Sequence, residues 1–351
     1  MNDRALTGLR GVAALMVVAH HYALLGLPSH PLWPDLYRGM YLAVDLFFVL
    51  SGYVMALAYA HWFTPGRTSP LLYAEFMLRR LARLWPLHAA VTLTLLASHY
   101  LMGQWMAWPK LIATNLLLVQ AWGISQSLNP PSWSISTELA VYLLFPGLAA
   151  AALHGPRTRA WLMAGLAVAL LAVAVTLTPD GVGGRRGMLD IHMNWSVLPL
   201  LRCLGGFIIG LLLFRVVQNP AVLRFVALPW IGPVTAVLIV VMMGFRVPDL
   251  VIYPLLPLLI AALHHGDGWF PGWLASRLPH RVGVLSYALY LVHYPVLAAV
   301  SWQMLPLGLG HVASMILCLA LAHFAHMLIE LPGRHAVMRL GGLWRRAVPT
   351  H

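Results

Sequence analysis

Long apolar windows follow one another along the whole chain of 351 residues, and they limit its possible folds more than any other feature. A helix needs about 20 apolar residues to cross the hydrocarbon core of a bilayer. The windows that reach or approach this length are 7–27, 39–61, 84–103, 133–153, 160–178, 196–217, 228–243, 248–265, 283–304 and 308–331. The sequence therefore predicts an all-α integral membrane protein with about ten transmembrane helices. Residues 110–122 are apolar but too short to cross, which favours a re-entrant or interfacial helix.

The composition argues against two other classes of protein. Only 9% of the residues are charged and 60% are hydrophobic, whereas soluble globular proteins carry about 25% charged residues. This argues against a water-soluble enzyme, and the ample apolar surface argues against a disordered chain. Cys203 and Cys318 lie in apolar segments and are predicted to be buried thiols rather than disulfide partners. We expect one membrane domain over residues 1–351, with no appended soluble domain and no cleavable signal peptide.

The arginines predict the orientation in the membrane. If the N-terminus is cytoplasmic, most of the basic residues fall on the cytoplasmic side: Arg4, Arg10, Arg67, Arg79, Arg80, Arg83, Arg157, Arg159, Arg215, Arg224, Arg277, Arg281, Arg334, Arg339, Arg345 and Arg346. The outer side receives Arg38, Lys110, Arg185, Arg186 and Arg246. This bias follows the positive-inside rule and predicts that both termini are cytoplasmic. The net charge of +12 is then mostly topogenic and requires no nucleic-acid partner.

A few polar side chains lie inside the apolar windows, where each charge costs about 2.5–3.5 kcal/mol and therefore needs a partner or a function. The charged ones are Arg10, Asp45, Glu138, Arg202 and, at a helix end, Glu330. The histidines are His20, His21, His88, His293, His323 and His326. Function is expected among these residues.

Arg10 and His21 are eleven residues apart on the first predicted helix. Eleven residues make three turns and about 20°, so both side chains share a face about 16 Å apart along the axis. A cation and an imidazole on one stripe would line a path from the cytoplasm. The alternative is a snorkelling arginine and a packing histidine. Asp45 on the second helix would orient a histidine or pair with an arginine, and Gly52 would admit a ligand or another backbone.

Further polar clusters flank the third, fourth and ninth windows. Arg79, Arg80 and Arg83 lie on about one helical turn, a pattern that suits phosphate groups, anionic lipid headgroups or a topogenic stop. The segment 130–138 (PPSWSISTE) predicts a capped helix start that leads to Glu138 in the membrane. The side chains that share one face in the ninth and tenth windows are Ser286, Tyr290, His293, His323, His326 and Glu330. They show no HExxH or CxxC spacing, so no metal is expected.

These motifs occur together and in order in one family. The sequence resembles the membrane-bound acyltransferase-3 family, the O-acyltransferases that modify bacterial surface glycans. The resemblance covers nearly the whole chain. It rests on Arg10 with His21, on Phe47 to Gly52 (FFVLSG), on Arg80 with Arg83, on WSIS followed by Glu138, on 285–295 (LSYALYLVHYP), and on Glu330-Leu331-Pro332. Ile135 replaces the leucine that is usual in the WSL element.

The resemblance implies acyl-CoA as the donor, acetyl-CoA above all, and a carbohydrate or lipid-linked glycan as the acceptor. It also implies a multi-pass protein of the bacterial cytoplasmic membrane that contacts membrane lipid. His21 is then the base or transient acyl carrier, with His20 as its rival and Asp45 and Glu138 as supporting groups. The residues expected to hold CoA or its thioester are Arg10, Ser51, Gly52, Arg79, Arg80 and Arg83. Those expected to contact the acceptor are Trp133, Ser134, Tyr290 and His293.

Two other classes of protein remain open from the residues. Intramembrane acids and a histidine stripe would suit a proton-coupled secondary transporter, although the sequence has no inverted repeat. A transferase that uses polyprenyl-linked sugars would need acidic pairs for a divalent metal, and the loops offer only scattered aspartates.

Overall fold

The computed structural model describes residues 2–25, 34–64, 66, 69–103, 109–178, 187–192, 196–299 and 309–347, the last five of these as backbone only. Within these ranges all regular structure is helical. The helices of the first half are α1 (Asp3–Leu24), α2 (Pro34–Gly39), α3 (Leu42–Tyr59), α4 (Pro70–Leu101), α5 (Pro109–Leu116), α6 (Trp133–Ala152) and α7 (Arg157–Thr176). Those of the second half are α8 (Leu198–Val216), α9 (Pro220–Val226), α10 (Ile231–Gly244), α11 (Asp249–Ile252), α12 (Leu255–His265), α13 (Trp269–Ala275), α14 (Arg277–Ala299), α15 (Leu309–Ala325) and α16 (Leu331–Ala347).

The prediction of an all-helical fold is confirmed for the described residues. The predicted number of about ten spans is confirmed in part. Seven helical segments of that part of the chain are long and apolar enough to cross a membrane, or nine if each of two bent pairs counts as one span. These segments account for all the predicted windows except the first. The helix in that window, α1, has 22 residues but is less apolar, because it carries Arg10, His20 and His21.

Some predicted features fall partly or wholly outside the described residues. These features are the ends of three windows, at 26–27, 300–304 and 308, and the residues Arg67, Arg185 and Arg186. Of residues 179–195, which connect the predicted windows 160–178 and 196–217, the structure describes 187–192. The apolar segment 110–122 forms only the eight-residue α5 and is therefore too short to cross, as predicted.

Helix α1 lies against α14 and α3 and therefore sits inside the helical assembly. Glycines make the contact with α14 possible. A Cβ on Gly283 would lie 1.8 Å from the carbonyl oxygen of Thr7, and one on Gly11 would lie 2.6 Å from the amide nitrogen of Gly283. Small residues let membrane helices approach backbone to backbone. The polar stripe of α1 is thereby brought close to the polar face of α14.

Several irregularities interrupt the long helices, among them a proline inside each of α4, α6 and α14. Pro86 lies inside α4, and residues His326–Glu330 form a π-helical turn between α15 and α16. Such turns insert an extra residue and often occur at functional sites. Here the turn carries Glu330 to the side of α4 on which Arg83 lies.

Candidate active site

Two cavities meet in the interior between α1, α3, α6 and α14. The first, of about 170 Å³, is lined by basic and acidic side chains, and we call it the arginine cavity. The second, of about 230 Å³, is lined by His20 and His21, and we call it the histidine cavity. Val44 and Tyr290 line both cavities. The side chains of one α1 stripe therefore serve two adjoining chambers, with Arg10 in the first and His21 in the second.

His21 is held in one orientation by its neighbours. Its Nδ1 lies 2.8 Å from the carbonyl oxygen of Val17 and 3.2 Å from Nε2 of His293. Nδ1 of His293 lies 3.1 Å from the carbonyl oxygen of Leu289. A carbonyl can only accept, so each Nδ1 donates its proton and each Nε2 carries a lone pair. Nε2 of His21 is then the nitrogen that can accept a proton from a bound hydroxyl.

His20 points to a different set of groups in the same cavity. Its Nδ1 lies 3.2 Å from the carbonyl oxygen of Tyr37, and its ring meets that of Tyr41 edge-on at 5.8 Å. The short segment 187–192 brings Asp190 and His192 to the cavity wall. Burial alone would raise the pKa of the Asp190 carboxyl, but the hydrogen bond to His192, at 3.4 Å, and the proximity of His20 and Arg202 bring that pKa below its ordinary value. Asp190 is therefore an anion at neutral pH.

Arg10 is the basic side chain of the arginine cavity that no protein group holds. Within the described part of the chain, its guanidinium has neither a hydrogen bond nor an ion pair. A buried guanidinium without a counter-ion is costly. The side chain nevertheless lines the cavity, so its charge is available to a bound anion.

The three arginines of α4 differ in their surroundings. Arg80 donates to the hydroxyl of Tyr59 at 2.7 Å, and its guanidinium lies 5.0 Å from the centre of that ring. Arg83 is paired with Glu330 on the π-helical turn. Both arginines line the arginine cavity. Arg79 does not line it: its side chain is 43% exposed and is paired with Glu75 at 2.6 Å.

Glu138 is the acidic side chain of the arginine cavity and forms a cluster with two hydroxyl groups. Ser51 donates to its Oε1 at 2.8 Å, and Tyr142 donates to the same oxygen. The hydroxyls of Ser51 and Tyr142 are 3.1 Å apart. Glu138 and Ser51 therefore contact each other and line the same arginine cavity. Glu138 has no hydrogen bond to His21.

Asp45 does not reach the histidines. Both of its oxygens accept from Arg202, at 2.9 and 2.6 Å, and the two side chains are almost completely buried. The remaining arm of Arg202 donates to the carbonyl oxygen of Ile191 at 3.0 Å. The expectation that Asp45 orients a histidine is thus corrected: it is the partner of an arginine, and Val17 and His293 fix the imidazole of His21 instead.

The expectation that Gly52 helps to hold CoA or its thioester is also corrected, because Gly52 does not line either cavity. A Cβ at this position would lie 2.1 Å from the carbonyl oxygen of Phe207 on α8. The residue therefore serves the close packing of α3 on α8 and leaves no room for a thioester. Of the two possibilities that the sequence left open, close approach by another backbone is the one that occurs.

Of the residues expected to contact the acceptor, Tyr290 lines both cavities and Ser134 lines the arginine cavity, whereas His293 lines neither. Tyr290 hydrogen-bonds with Ser134, their hydroxyls 2.7 Å apart, and donates to the carbonyl oxygen of Pro131 at 3.0 Å. Trp133 lines the histidine cavity, and the guanidinium of Arg202 lies 5.4 Å from the centre of its ring. His293 is fully buried behind His21.

Sequence reasoning missed several residues of these chambers. Tyr142 follows Glu138 by one helical turn, a spacing that indicates contact and could have revealed it. Tyr41, Asp190 and His192 had no such signal, because they reach the cavity from short segments between helices. Among the described residues, no group of three or more potential metal ligands is positioned around one point.

The described residues thus form an all-helical assembly in which a cavity lined by arginines adjoins one lined by histidines. The family of the Acyltransferase domain matches residues 3–327. The chain therefore belongs to the acyltransferase-3 family and is a transferase of acyl groups.

Three curated proteins show the range of similarity. The acyltransferase MdmB of Streptomyces mycarofaciens is 31% identical over 99% of this chain and 94% of its own length. The O-acetyltransferase OatA of Staphylococcus aureus (strain NCTC 8325 / PS 47) is 25% identical over 95% of this chain, which spans 58% of that relative. Protein 2 in the picA locus of Rhizobium radiobacter is 33% identical over 40% of this chain and 78% of its own length. No solved structure matches.

Proposed function

We propose that the protein is an O-acyltransferase that moves an acyl group, acetyl above all, from cytosolic acyl-CoA to a hydroxyl of an extracytoplasmic carbohydrate or glycolipid. The observation that carries the proposal is the adjacency of two chambers with different chemistry, which share Val44 and Tyr290. One chamber offers cations for a phosphorylated donor, and the other offers an oriented imidazole for a hydroxyl. The name of OatA, an O-acetyltransferase, supports acetyl as the group transferred.

The positive-inside pattern supports the orientation that this function requires. We propose that α1 is a tenth span, which is polar because the other helices enclose it, and that both termini are cytoplasmic. Arg80 and Arg83 then lie near the cytoplasmic surface, where acyl-CoA is found. The protein would be a multi-pass protein of the bacterial cytoplasmic membrane, in contact with membrane lipid.

The donor would be held through its phosphates and pantetheine arm by Arg10, Arg80 and Arg83. Guanidinium groups bind phosphate through paired, charge-assisted hydrogen bonds. Arg10 is free for such a bond, whereas Arg83 would have to share its charge with Glu330. Ser51 would offer its hydroxyl to the thioester carbonyl after it exchanges its bond to Glu138. Arg79, which lies outside the cavity, would contribute only a supporting charge.

The transfer step follows from the lone pair on Nε2 of His21. This nitrogen takes the proton of the acceptor hydroxyl while the hydroxyl oxygen attacks the thioester carbonyl carbon. The carbon–sulfur bond then breaks, the ester is left on the acceptor, and the CoA thiolate leaves and recovers the proton. In the alternative route, Nε2 itself attacks the carbonyl carbon and carries the acyl group before the hydroxyl receives it.

An assay for the release of CoA from acetyl-CoA distinguishes an acyltransferase from a proton-coupled transporter. Purified protein with acetyl-CoA should release free CoA slowly in the absence of acceptor, because water replaces the hydroxyl. A thiol reagent follows the release, and Cys203 and Cys318 are both buried. A transporter would move solute but leave the thioester intact, and that result would contradict the proposal.

Removal of the cavity arginines should weaken acyl-CoA binding. A hydrogen bond to a charged group contributes about 1.5–3 kcal/mol, so Arg10→Ala and Arg80→Ala should each raise the apparent KM for acetyl-CoA roughly 10- to 100-fold. Arg83→Ala should raise it as well. Arg79→Ala is the matched control from the same helix and should change the KM less than about threefold. If acceptor affinity changes and the KM for acyl-CoA does not, these residues do not bind CoA.

A further inference from the structure

A third cavity, larger than the other two, adjoins the histidine cavity. It has a volume of about 570 Å³ and is lined by Asp35, Arg38, Tyr41, Arg246 and Asp249, among other residues. We call it the outer cavity. Tyr41 also lines the histidine cavity, so the three chambers form one series. The volume falls within the roughly 300–1,000 Å³ that is usual for small-molecule sites.

The inner wall of the outer cavity is rigidly built. Asp249 is 5% exposed and accepts from the hydroxyl of Tyr41 at 2.7 Å and from the amide of Leu189 at 2.6 Å. Gly187 fits beside them only because it has no side chain: a Cβ there would lie 1.8 Å from the hydroxyl oxygen of Tyr41. These contacts fix the position of the Tyr41 ring at the passage to the histidines.

The rim of the outer cavity carries a strained arginine. Arg246 has a φ of 55°, a left-handed conformation that bulky side chains rarely adopt and that costs about 1–2 kcal/mol. Its guanidinium pairs with Asp35, which also lies 3.6 Å from Arg38. Strain of this kind is concentrated at functional sites. Arg246 and its partner Asp35 both line the cavity.

The charges of the outer cavity are balanced. The lining contains two guanidinium groups, of Arg38 and Arg246, and two carboxylates, of Asp35 and Asp249. An anionic ligand such as a phosphate would meet both carboxylates, and a cationic one would meet both arginines. Adjacent donors and acceptors with no net charge suit a ligand with many hydroxyl groups. The positive-inside pattern also assigns Arg38 and Arg246 to the outer side, where the acceptor is expected.

We propose that the outer cavity binds the part of the acceptor that is not acylated, a neutral, polyhydroxylated saccharide segment, and directs one of its hydroxyls past Tyr41 toward His21. This proposal rests on the proposed acyltransferase function. Asp35 and Arg246 are its binding residues, and Asp249 positions Tyr41. No atom of the outer cavity takes part in the transfer step itself.

The test uses two variants of the rim and two readouts. Arg246→Gly removes the guanidinium but keeps a residue for which a φ of 55° is unstrained, so the protein should not become less stable. Asp35→Asn removes the charge at the same volume. The readouts are the release of CoA from [¹⁴C]acetyl-CoA and the label transferred to surface glycan from a source strain that lacks the gene. Arg224→Ala, an exposed arginine on α9, is the control.

Both rim variants should lower the ratio of glycan label to released CoA about tenfold at subsaturating glycan, because one charged hydrogen-bond partner is lost. The control should keep the wild-type ratio, and the label should elute with neutral saccharides on an anion-exchange column. An unchanged ratio in both rim variants overturns the proposal, and so does label confined to acidic material. If the wild type releases CoA but labels no glycan, the saccharide assignment is wrong. If the wild type releases no CoA, the proposed function itself fails.

Discussion

Replacement of His21 by alanine should lower the rate of acyl transfer by about 10²- to 10⁴-fold, the contribution typical of a positioned general base. The structure gives the reason. The carbonyl of Val17 and Nε2 of His293 hold the proton on Nδ1 of His21, so that Nε2 carries the lone pair. The measurement is the rate of [¹⁴C]acetyl transfer from acetyl-CoA to glycan by purified protein.

His20→Ala is the matched control, because the two imidazoles are adjacent in sequence and line the same cavity. His20 is turned toward the carbonyl of Tyr37 and the ring of Tyr41, so its loss should reduce the rate less than about tenfold. Undiminished transfer by His21→Ala would eliminate His21 as base and as acyl carrier. A larger loss in the His20 variant would exchange the roles of the two residues.

The second large effect should be on stability, at the buried pair of Arg202 and Asp45. Removal of one partner of a buried ion pair leaves an uncompensated charge and costs about 3–5 kcal/mol. In detergent, Arg202→Met should therefore have a lower midpoint of thermal unfolding than the wild-type protein. Because Arg202 also holds the carbonyl of Ile191, the segment that carries Asp190 and His192 should loosen as well. Tryptophan fluorescence on heating measures the unfolding midpoint.

The double variant Asp45→Leu/Arg202→Met provides the control for this prediction. Apolar side chains of similar volume often replace a buried pair without loss of stability, so the double variant should be more stable than Arg202→Met alone. If the losses of stability caused by Asp45→Leu alone and by Arg202→Met alone add up to the loss in the double variant, the two side chains do not stabilise each other. If Asp45→Asn loses activity at unchanged stability, Asp45 has a part in the reaction and its structural assignment here is wrong.

The sequence predicted well those features of the described helices that depend on a single helix. Apolar length predicted most spans, and a spacing of eleven residues placed Arg10 and His21 on one stripe. The sequence predicted a span at 7–27, but α1 is less apolar than the segments that qualify as spans in the structure, because it carries Arg10, His20 and His21. A helix can stay polar in the membrane when its neighbours enclose it, and no property of its own sequence shows those neighbours.

Pairing between helices was the part that the sequence could not show. Asp45 and Arg202 are 157 positions apart, so the sequence left open whether Asp45 orients a histidine or pairs with an arginine, and it did not indicate which arginine. Gly52 ends the FFVLSG motif and left open a ligand or another backbone, and the backbone of Phe207 is what lies against it. The π-helical turn that brings Glu330 to Arg83 had no local signal, since it depends on how the turn and α16 pack on α4.

The central claim is that the acyl group enters from the cytoplasmic arginine cavity and leaves on an acceptor at the other side. Membrane vesicles of defined sidedness test it most directly. Vesicles that enclose the surface glycan are given [¹⁴C]acetyl-CoA on the outside. Inside-out vesicles should label the enclosed glycan with wild-type protein and show only background label with His21→Ala, and right-side-out vesicles should show only background label. Equal labelling in the two orientations, or in the His21 variant, would contradict the claim.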